Sequence, residues 1–152
     1  GLIQLILPNA RIIDIRRHPL GCCLSNFKQY FAEGQEFSYS LTDLGRYYRD
    51  CVRLMSHFDE ALPGRVHRLI YEHLVEDMEG EARRLLDYVG VEFDPAVLRF
   101  HENERPVHTP SAEQVRRPVN RAGMENWQPF ELWLGPLRKE LGPVLTSYPE
   151  AP

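Results

Sequence analysis

The chain has 152 residues, 43% of them hydrophobic, which is enough for one domain with a core. A formal net charge of −4 without a long basic run argues against bulk attraction to nucleic acid or anionic membranes. No apolar run reaches the roughly 20 residues of a membrane span, no secretory signal pattern is visible, and three cysteines without a CxxC pair predict reduced thiols in a cytoplasmic protein.

The first half of the chain predicts a strand followed closely by a helix. The opening segment GLIQLILP is apolar and has no start signal, so we expect a helix end there and an N-terminal part of a larger fold missing from this sequence. The β-branched run at 11–16 predicts a strand that is covered on both faces. Residues 18–21 then predict a turn. A helix over 22–33 would bury Leu24, Phe27, Tyr30 and Phe31.

The next elements are predicted by helix caps and apolar spacing. Ser40 and Asp43 predict the cap of a long amphipathic helix over 41–62. A second strand over 66–71 and a helix from 74 to 89 follow, ended by Gly90 in a left-handed conformation. The pair Asp94 and Pro95 predicts the start of a short helix.

The last third contains a loop, a second candidate cap and a final helix. Residues 102–110 predict a loop, and Ser111 with Gln114 resembles a capping box. The final helix over 127–141 would bury Phe130, Trp133, Leu134, Leu137 and Leu141, and we expect a poorly ordered tail after it. Because two strands do not make an independently stable sheet, the pattern predicts a truncated α/β domain whose other strands lie upstream.

Two side chains at the first strand–turn–helix could hold a phosphate. A helix N-terminus offers unpaired N–H groups and partial positive charge. Arg17, at the end of the strand, can present a planar fork to phosphate oxygens, and Ser25 can donate a hydroxyl from the helix. The structural alternative is a surface arginine and a solvent-facing helical serine.

Three stretches of the chain resemble the sulfotransferase family. The segment IIDIRRHPLGCCLSNF is similar to the family's 3′-phosphate-binding strand–turn–helix, with Arg17, Pro19 and Ser25 in type and spacing. The segment VHRLIYEHLVED resembles its strand that ends in Tyr-Glu-Asp-Leu, with Tyr71 matching and His73 where aspartate is usual.

The third stretch indicates which members of this family the chain resembles most. The segment SAEQVRRPVN, followed by Trp127, is similar to a stretch of the tyrosylprotein sulfotransferases and of bacterial sulfotransferases fused to tetratricopeptide repeats. A basic residue normally precedes this tryptophan, but Asn126 stands there. Arg116, Arg117 and Arg121 are the alternatives for the missing charge.

The resemblance implies a nucleotide co-substrate, 3′-phosphoadenosine 5′-phosphosulfate (PAPS), and a hydroxyl-bearing acceptor, either a protein tyrosine or a small molecule. It implies that Arg17 and Ser25 hold the 3′-phosphate, that Tyr71 lies by the adenine and that Ser111 hydrogen-bonds the nucleotide. No metal is implied, and the six histidines show no metal-ligand spacing. A site at His18, Cys22 and Cys23 is the open alternative.

The resemblance also implies a P-loop-like three-layer α/β fold with a parallel sheet, of which residues 1–145 are the C-terminal part and 146–152 a tail. The family's phosphosulfate loop and catalytic base lie upstream of the matched segment, and this chain has no GxxxxGK[ST] motif. We therefore expect no catalytic residue here and no sulfate transfer by this chain alone. The missing lysine motif also disfavours a nucleoside-type kinase.

A function of another class stays open. In that alternative, the chain is a non-catalytic interaction module whose amphipathic helices over 41–62 and 127–141 bury the surface of a partner protein.

Overall fold

The computed structural model describes residues 1–31, 33–103, 106 and 114–150. Over these residues, two strands and seven α-helices follow one another in this order: α1 (Leu2–Ile6), β1 (Ile12–Arg16), α2 (Pro19–Lys28), α3 (Leu41–Ala61), β2 (Val66–Ile70), α4 (Tyr71–Glu76), α5 (Met78–Val89), α6 (Gly135–Leu141) and α7 (Pro143–Thr146). Short 3-10 helices occupy Glu36–Tyr39, Pro95–Glu102, Gln114–Arg116, Arg121–Gly123 and Gln128–Trp133. None of the helices in these ranges is long and apolar enough to cross a membrane.

The two predicted strands pair in parallel, which confirms an α/β arrangement. Ile12 lies opposite Val66, and Arg16 lies opposite Ile70 at the other end of the ladder. A parallel pair requires a crossover connection, which α2 and α3 provide. Both strands consequently end at the same edge of the sheet, and the segments that follow β1 and β2 leave it side by side.

The main core lies between helices rather than under the sheet. Its buried residues come from α2, α3, α6 and the residue before α6; they are Leu20, Cys23, Leu24, Leu44, Leu134, Leu137 and Leu141. A fully buried leucine contributes about 1.5–3 kcal/mol relative to an exposed one. This core therefore fixes α2 against α3 and α6, and it holds the turn after β1 in place.

The capping predictions for Ser40, Gly90 and Asp94 are confirmed, whereas the capping box predicted at Ser111 lies outside the described residues. The Ser40 hydroxyl accepts the Asp43 backbone N–H at 3.2 Å, and α3 begins at the next residue. Gly90 ends α5 with φ of 83°, the left-handed geometry that glycine adopts without a Cβ penalty. The Asp94 side chain accepts the Ala96 N–H at 2.8 Å.

The predicted bounds of α2 were wrong at both ends. The helix begins at Pro19, because a proline at the first helical position has the required φ and needs no backbone acceptor. It ends at Lys28 instead of near residue 33. Phe27 and Tyr30, predicted to be buried, are therefore 40% and 75% exposed.

Two predicted single helices are each divided. Asp77 separates α4 from α5 and accepts the Gly80 N–H with its carboxylate. The final helix is a 3-10 turn followed by α6, with Pro136 in the first turn of α6. Leu134, Leu137 and Leu141 are buried as predicted, whereas Phe130 and Trp133, which were also predicted to be buried, are 38% and 66% exposed.

The segment after residue 141 contains a further short helix. Gly142 leads directly into α7, and Tyr148 packs with its ring edge against His18. The poor order expected of the tail stays a prediction.

Gly45 is the closest approach of α3 to α6, which makes it a test of this packing. A Cβ at Gly45 would lie 2.7 Å from the Glu140 Cβ and 3.2 Å from the Leu137 carbonyl oxygen. We expect Gly45→Ala to lower the free energy of unfolding by about 1–3 kcal/mol, because the two helices must separate. Urea denaturation measures this change.

Gly135→Ala is the matched control. A Cβ there meets no atom within 4 Å, so the better helix propensity of alanine should stabilise the protein by up to about 1 kcal/mol. Equal effects of the two substitutions would contradict the packing described.

Candidate functional site

Three of the four residues predicted to bind the nucleotide line one cavity. Arg17, Ser25 and Tyr71 border a space of about 540 Å³, and the fourth residue, Ser111, lies outside the described residues. The other described wall residues come from the 3-10 helix at Pro95–Glu102 and from the segment at 115–126 before α6: Phe100, Val115, Arg117, Pro118, Val119, Asn120, Gly123 and Asn126.

The parallel sheet explains why these three side chains meet. Arg17 directly follows β1, and Tyr71 directly follows β2, so both leave the sheet at its carboxyl edge. Ser25 lies on α2, which starts two residues after Arg17. The sequence places the residues on three elements, and strand pairing brings them to one cavity.

Arg17 is fixed by contacts on several sides. Its Nη2 donates to the Gly123 carbonyl, and its Cζ lies 5.4 Å from the centroid of the Tyr71 ring, a cation–π distance. The Tyr48 hydroxyl donates to the Arg17 carbonyl at 2.9 Å. Among the described residues, the buried Nε has no hydrogen-bond partner. Because buried donors are normally satisfied, this N–H is a candidate to bind an anion.

Gly123 leaves room for the guanidinium, and Gly21 lies within van der Waals distance of it. A Cβ at Gly123 would lie 3.1 Å from the Arg17 Nη2. A Cβ at Gly21 would lie 3.6 Å from the Arg17 Nε and 3.4 Å from Cδ1 of Trp127. The arginine thus lies between the first turn of α2 and the loop before α6.

In its described part, the cavity wall contains only one of the three arginines that were alternatives for the missing positive charge. Arg117 lines the cavity with Asn126, whereas Arg116 donates to the Asn103 carbonyl at 3.2 Å and is not in the cavity wall. Arg121 is also absent from this wall. The Tyr71 hydroxyl donates to the Asn120 carbonyl at 3.4 Å and so ties α4 to the loop.

Sequence reasoning missed a group of side chains beside the cavity. The Glu72 carboxylate accepts the His18 backbone N–H at 3.0 Å and also accepts the Tyr148 hydroxyl. The His18 ring stacks on Trp127, with centroids 5.1 Å apart and planes 7° apart. Local patterns carry no signal for these contacts, although Glu72 and Trp127 lie within the motifs that resemble the family.

The surroundings of His18 and Tyr148 favour the neutral form of each side chain. Burial lowers the pKa of His18, Glu72 opposes this effect, and Arg138 and Arg17 add to it. Burial raises the pKa of Tyr148, and so does the contact with Glu72, so the hydroxyl stays protonated and can donate. Neutral His18 can stack on Trp127 without introducing a positive charge between two arginines.

A second cavity lies on the other side of Arg17. It has about 420 Å³, lies between β1 and helices α2 and α3, and is lined partly by Cys22, Cys23 and Cys51. Burial raises the pKa of all three thiols. In the described ranges, no group of three or more histidine, cysteine or carboxylate side chains could hold a metal ion.

The geometry can therefore bind an anion beside an aromatic ring. It provides an arginine fork and a hydroxyl at one cavity, which the Tyr71 ring also lines.

Comparison with known proteins agrees with the motifs. A model of the sulfotransferase family matches residues 1–95. The chain is also 34% identical over 140 residues to an uncharacterized protein of Aquifex aeolicus (strain VF5). This alignment covers 90% of the chain and 18% of that protein, so the chain spans less than a fifth of the length of this relative.

The thiols of the second cavity should differ in reactivity. Iodoacetamide at pH 7 should label Cys51, which is exposed, before Cys23, which is 2% exposed. Labelling should be slow and should accelerate with pH, because the thiolate reacts and the pKa of each thiol is raised. Peptide mass spectrometry measures the rates, and labelling of Cys23 as fast as Cys51 in the folded protein would contradict this packing.

Proposed function

The chain belongs to the sulfotransferase family, and from this premise we propose that the Arg17 cavity binds the 3′-phosphate and adenine of PAPS. The spent product, adenosine 3′,5′-bisphosphate, has the same two groups and should bind in the same way.

The observation that carries the proposal is the position of Arg17. Its buried Nε lacks a partner among the described residues, and its guanidinium borders the same cavity as the Ser25 side chain. A guanidinium forms short, charge-assisted hydrogen bonds with phosphate oxygens. The Ser25 hydroxyl, from α2, would donate a second hydrogen bond to the same phosphate.

The adenine of the nucleotide would lie on the other side of the cavity from the phosphate. Tyr71 offers an aromatic ring, and Phe100 with the loop at 115–119 offers apolar surface. Ser111 would hydrogen-bond the nucleotide from the segment outside the described residues. In place of the basic residue usual before Trp127, Arg117 would supply positive charge from the cavity wall.

The reaction would occur at the other end of the nucleotide. The acceptor oxygen forms a bond to sulfur, the bond between sulfur and the 5′-phosphate oxygen breaks, and the acceptor proton passes to a base. We assign no catalytic residue to this chain. We place the phosphosulfate loop and the base in further strands of a P-loop-like fold, so this chain alone should be inactive.

The acceptor would be a hydroxyl-bearing molecule, either a protein tyrosine or a small molecule. The third motif resembles the tyrosylprotein-type and repeat-fused sulfotransferases, and this resemblance supports an acceptor of one of these two kinds. We propose a cytoplasmic location on the basis of the three free thiols.

An interaction module is the second candidate. Leu132 and Trp133, in the 3-10 helix before α6, are 90% and 66% exposed and form an apolar surface that a partner protein could cover. Such a module would not need the Arg17 cavity to bind a nucleotide.

Arg17→Ala separates the two functions. In the full polypeptide, it should weaken binding of adenosine 3′,5′-bisphosphate by at least about a hundredfold, since a charge-assisted bidentate contact is lost. Arg17→Lys should retain part of the affinity because the charge remains without the fork. Isothermal titration calorimetry measures the dissociation constants.

Arg53→Ala is the matched control, because the Arg53 side chain is 85% exposed. It should leave the affinity unchanged. If the unmodified protein does not bind the bisphosphate, the nucleotide-binding proposal is wrong and the interaction module is favoured.

Ser25→Ala tests the second phosphate contact. Loss of one hydrogen bond should weaken binding by about three- to tenfold. Ser56→Ala, which removes a hydroxyl that donates to the Val52 carbonyl within α3, is the control and should not affect binding. An unchanged dissociation constant for Ser25→Ala would remove this residue from the site.

A further inference from the structure

Four side chains outside the Arg17 cavity connect its walls. We call His18, Glu72, Trp127 and Tyr148 the clasp. The Glu72 carboxylate accepts one hydrogen bond from the turn after β1 and another from the segment after α7. These partners are 54 and 76 residues away in sequence, so the clasp joins three distant parts of the chain.

Three of the four clasp residues directly follow a residue of the cavity. His18 directly follows Arg17, and Glu72 directly follows Tyr71. Trp127 directly follows Asn126 and stands four residues after Gly123, whose carbonyl accepts a hydrogen bond from the arginine. A movement of the clasp would therefore displace the cavity walls.

The stacked rings hold the loop before α6 against the turn. The Trp127 ring contacts both the His18 ring, at 5.1 Å between centroids, and the Arg138 guanidinium, at 5.7 Å. Gly21 lies beside the indole, since a Cβ there would be in van der Waals contact with it at 3.4 Å. The Tyr148 ring meets the His18 ring edge-on at 5.5 Å.

We propose that the clasp positions Arg17 and the loop at 117–126 for anion binding, and that protonation of His18 loosens it. This inference rests on the proposed function, since it assumes an anion in the Arg17 cavity. The four residues are positioning residues, because none of them lines that cavity.

The surroundings of His18 set the direction of the pH effect. Arg17 from the turn and Arg138 from α6 disfavour the charged ring, and Glu72 from α4 favours it. The other groups that face it, Trp127 and the protonated Tyr148, carry no charge. The Nδ1 is buried and has no partner among the described residues, so a proton there would lack an acceptor.

The sign of the effect follows from burial, which lowers the pKa of His18 below its ordinary value of 6.5. The loosened state, with a hydrated ring, titrates near the ordinary value. The closed clasp is therefore fully favoured above about pH 6.5 and is lost progressively at lower pH.

The first test removes single hydrogen bonds of the clasp in the full polypeptide. Tyr148→Phe keeps the ring and deletes the donor to Glu72, and Glu72→Gln removes the charge. At pH 8, each should weaken binding of adenosine 3′,5′-bisphosphate by about three- to tenfold. Tyr30→Phe and Glu76→Gln, both at exposed positions, are the controls and should change the dissociation constant by less than about twofold.

The second test is a pH profile, which a purely structural role would not alter. Between pH 8 and pH 5.5, the natural protein should lose more affinity than His18→Asn, whose asparagine is a good N-cap for α2 and does not titrate. Titration of the ligand phosphate affects both proteins equally, so it cancels in the ratio of their dissociation constants.

The outcomes are distinct. Retained affinity in Tyr148→Phe and Glu72→Gln would overturn the clasp and leave the proposed function intact. A natural protein that gains affinity over His18→Asn at low pH would show that His18 contacts the anion directly, which also overturns the clasp. If the natural protein does not bind the bisphosphate at all, both proposals fail together.

Discussion

The parallel pairing of β1 and β2 is the constraint on which the site depends. Arg16 and Ile70 are register partners at the ends of the two strands, so Arg17 and Tyr71 leave the sheet next to each other. In an antiparallel pair, the same two residues would lie at opposite edges. This register accounts for the cation–π contact between Arg17 and Tyr71 and for the hydrogen bond from the His18 N–H to Glu72.

Local signals made a large part of this fold predictable. Ser40, Gly90 and Asp94 act through neighbours within four residues, so their roles could be inferred from sequence. The strands were predictable because β-branched residues are concentrated in them. The exposure of Trp133 and the contacts of Tyr148 could not be predicted, because both depend on residues far away in the chain. The site residues matched a known motif, but strand register, which no local pattern encodes, placed them together.

The sheet leaves apolar surface uncovered in the described part of the chain. Ile13 and Ile15 on β1 are 40% and 69% exposed, and Leu5 of α1 is 82% exposed. Strands of parallel sheets are normally covered on both faces, and two strands form a marginal sheet. In the described residues, β1 is therefore not covered on both faces as the sequence predicted. The exposed surface supports the proposal that further strands of a larger polypeptide pack here.

In the proposed function, nucleotide binding and chemistry are physically separate. Arg17 would hold an anion by charge and geometry, and the groups that act on the acceptor and the leaving group would lie elsewhere. Its fork is effective only if its direction is fixed, because a flexible guanidinium loses entropy when it binds. The Gly123 carbonyl, the Tyr71 ring and the close approach at Gly21 fix that direction before any ligand arrives. A phosphate oxygen in this site would accept a hydrogen bond from the buried Nε. A neutral side chain of similar size would lack both the positive charge and the directed N–H donors of the arginine.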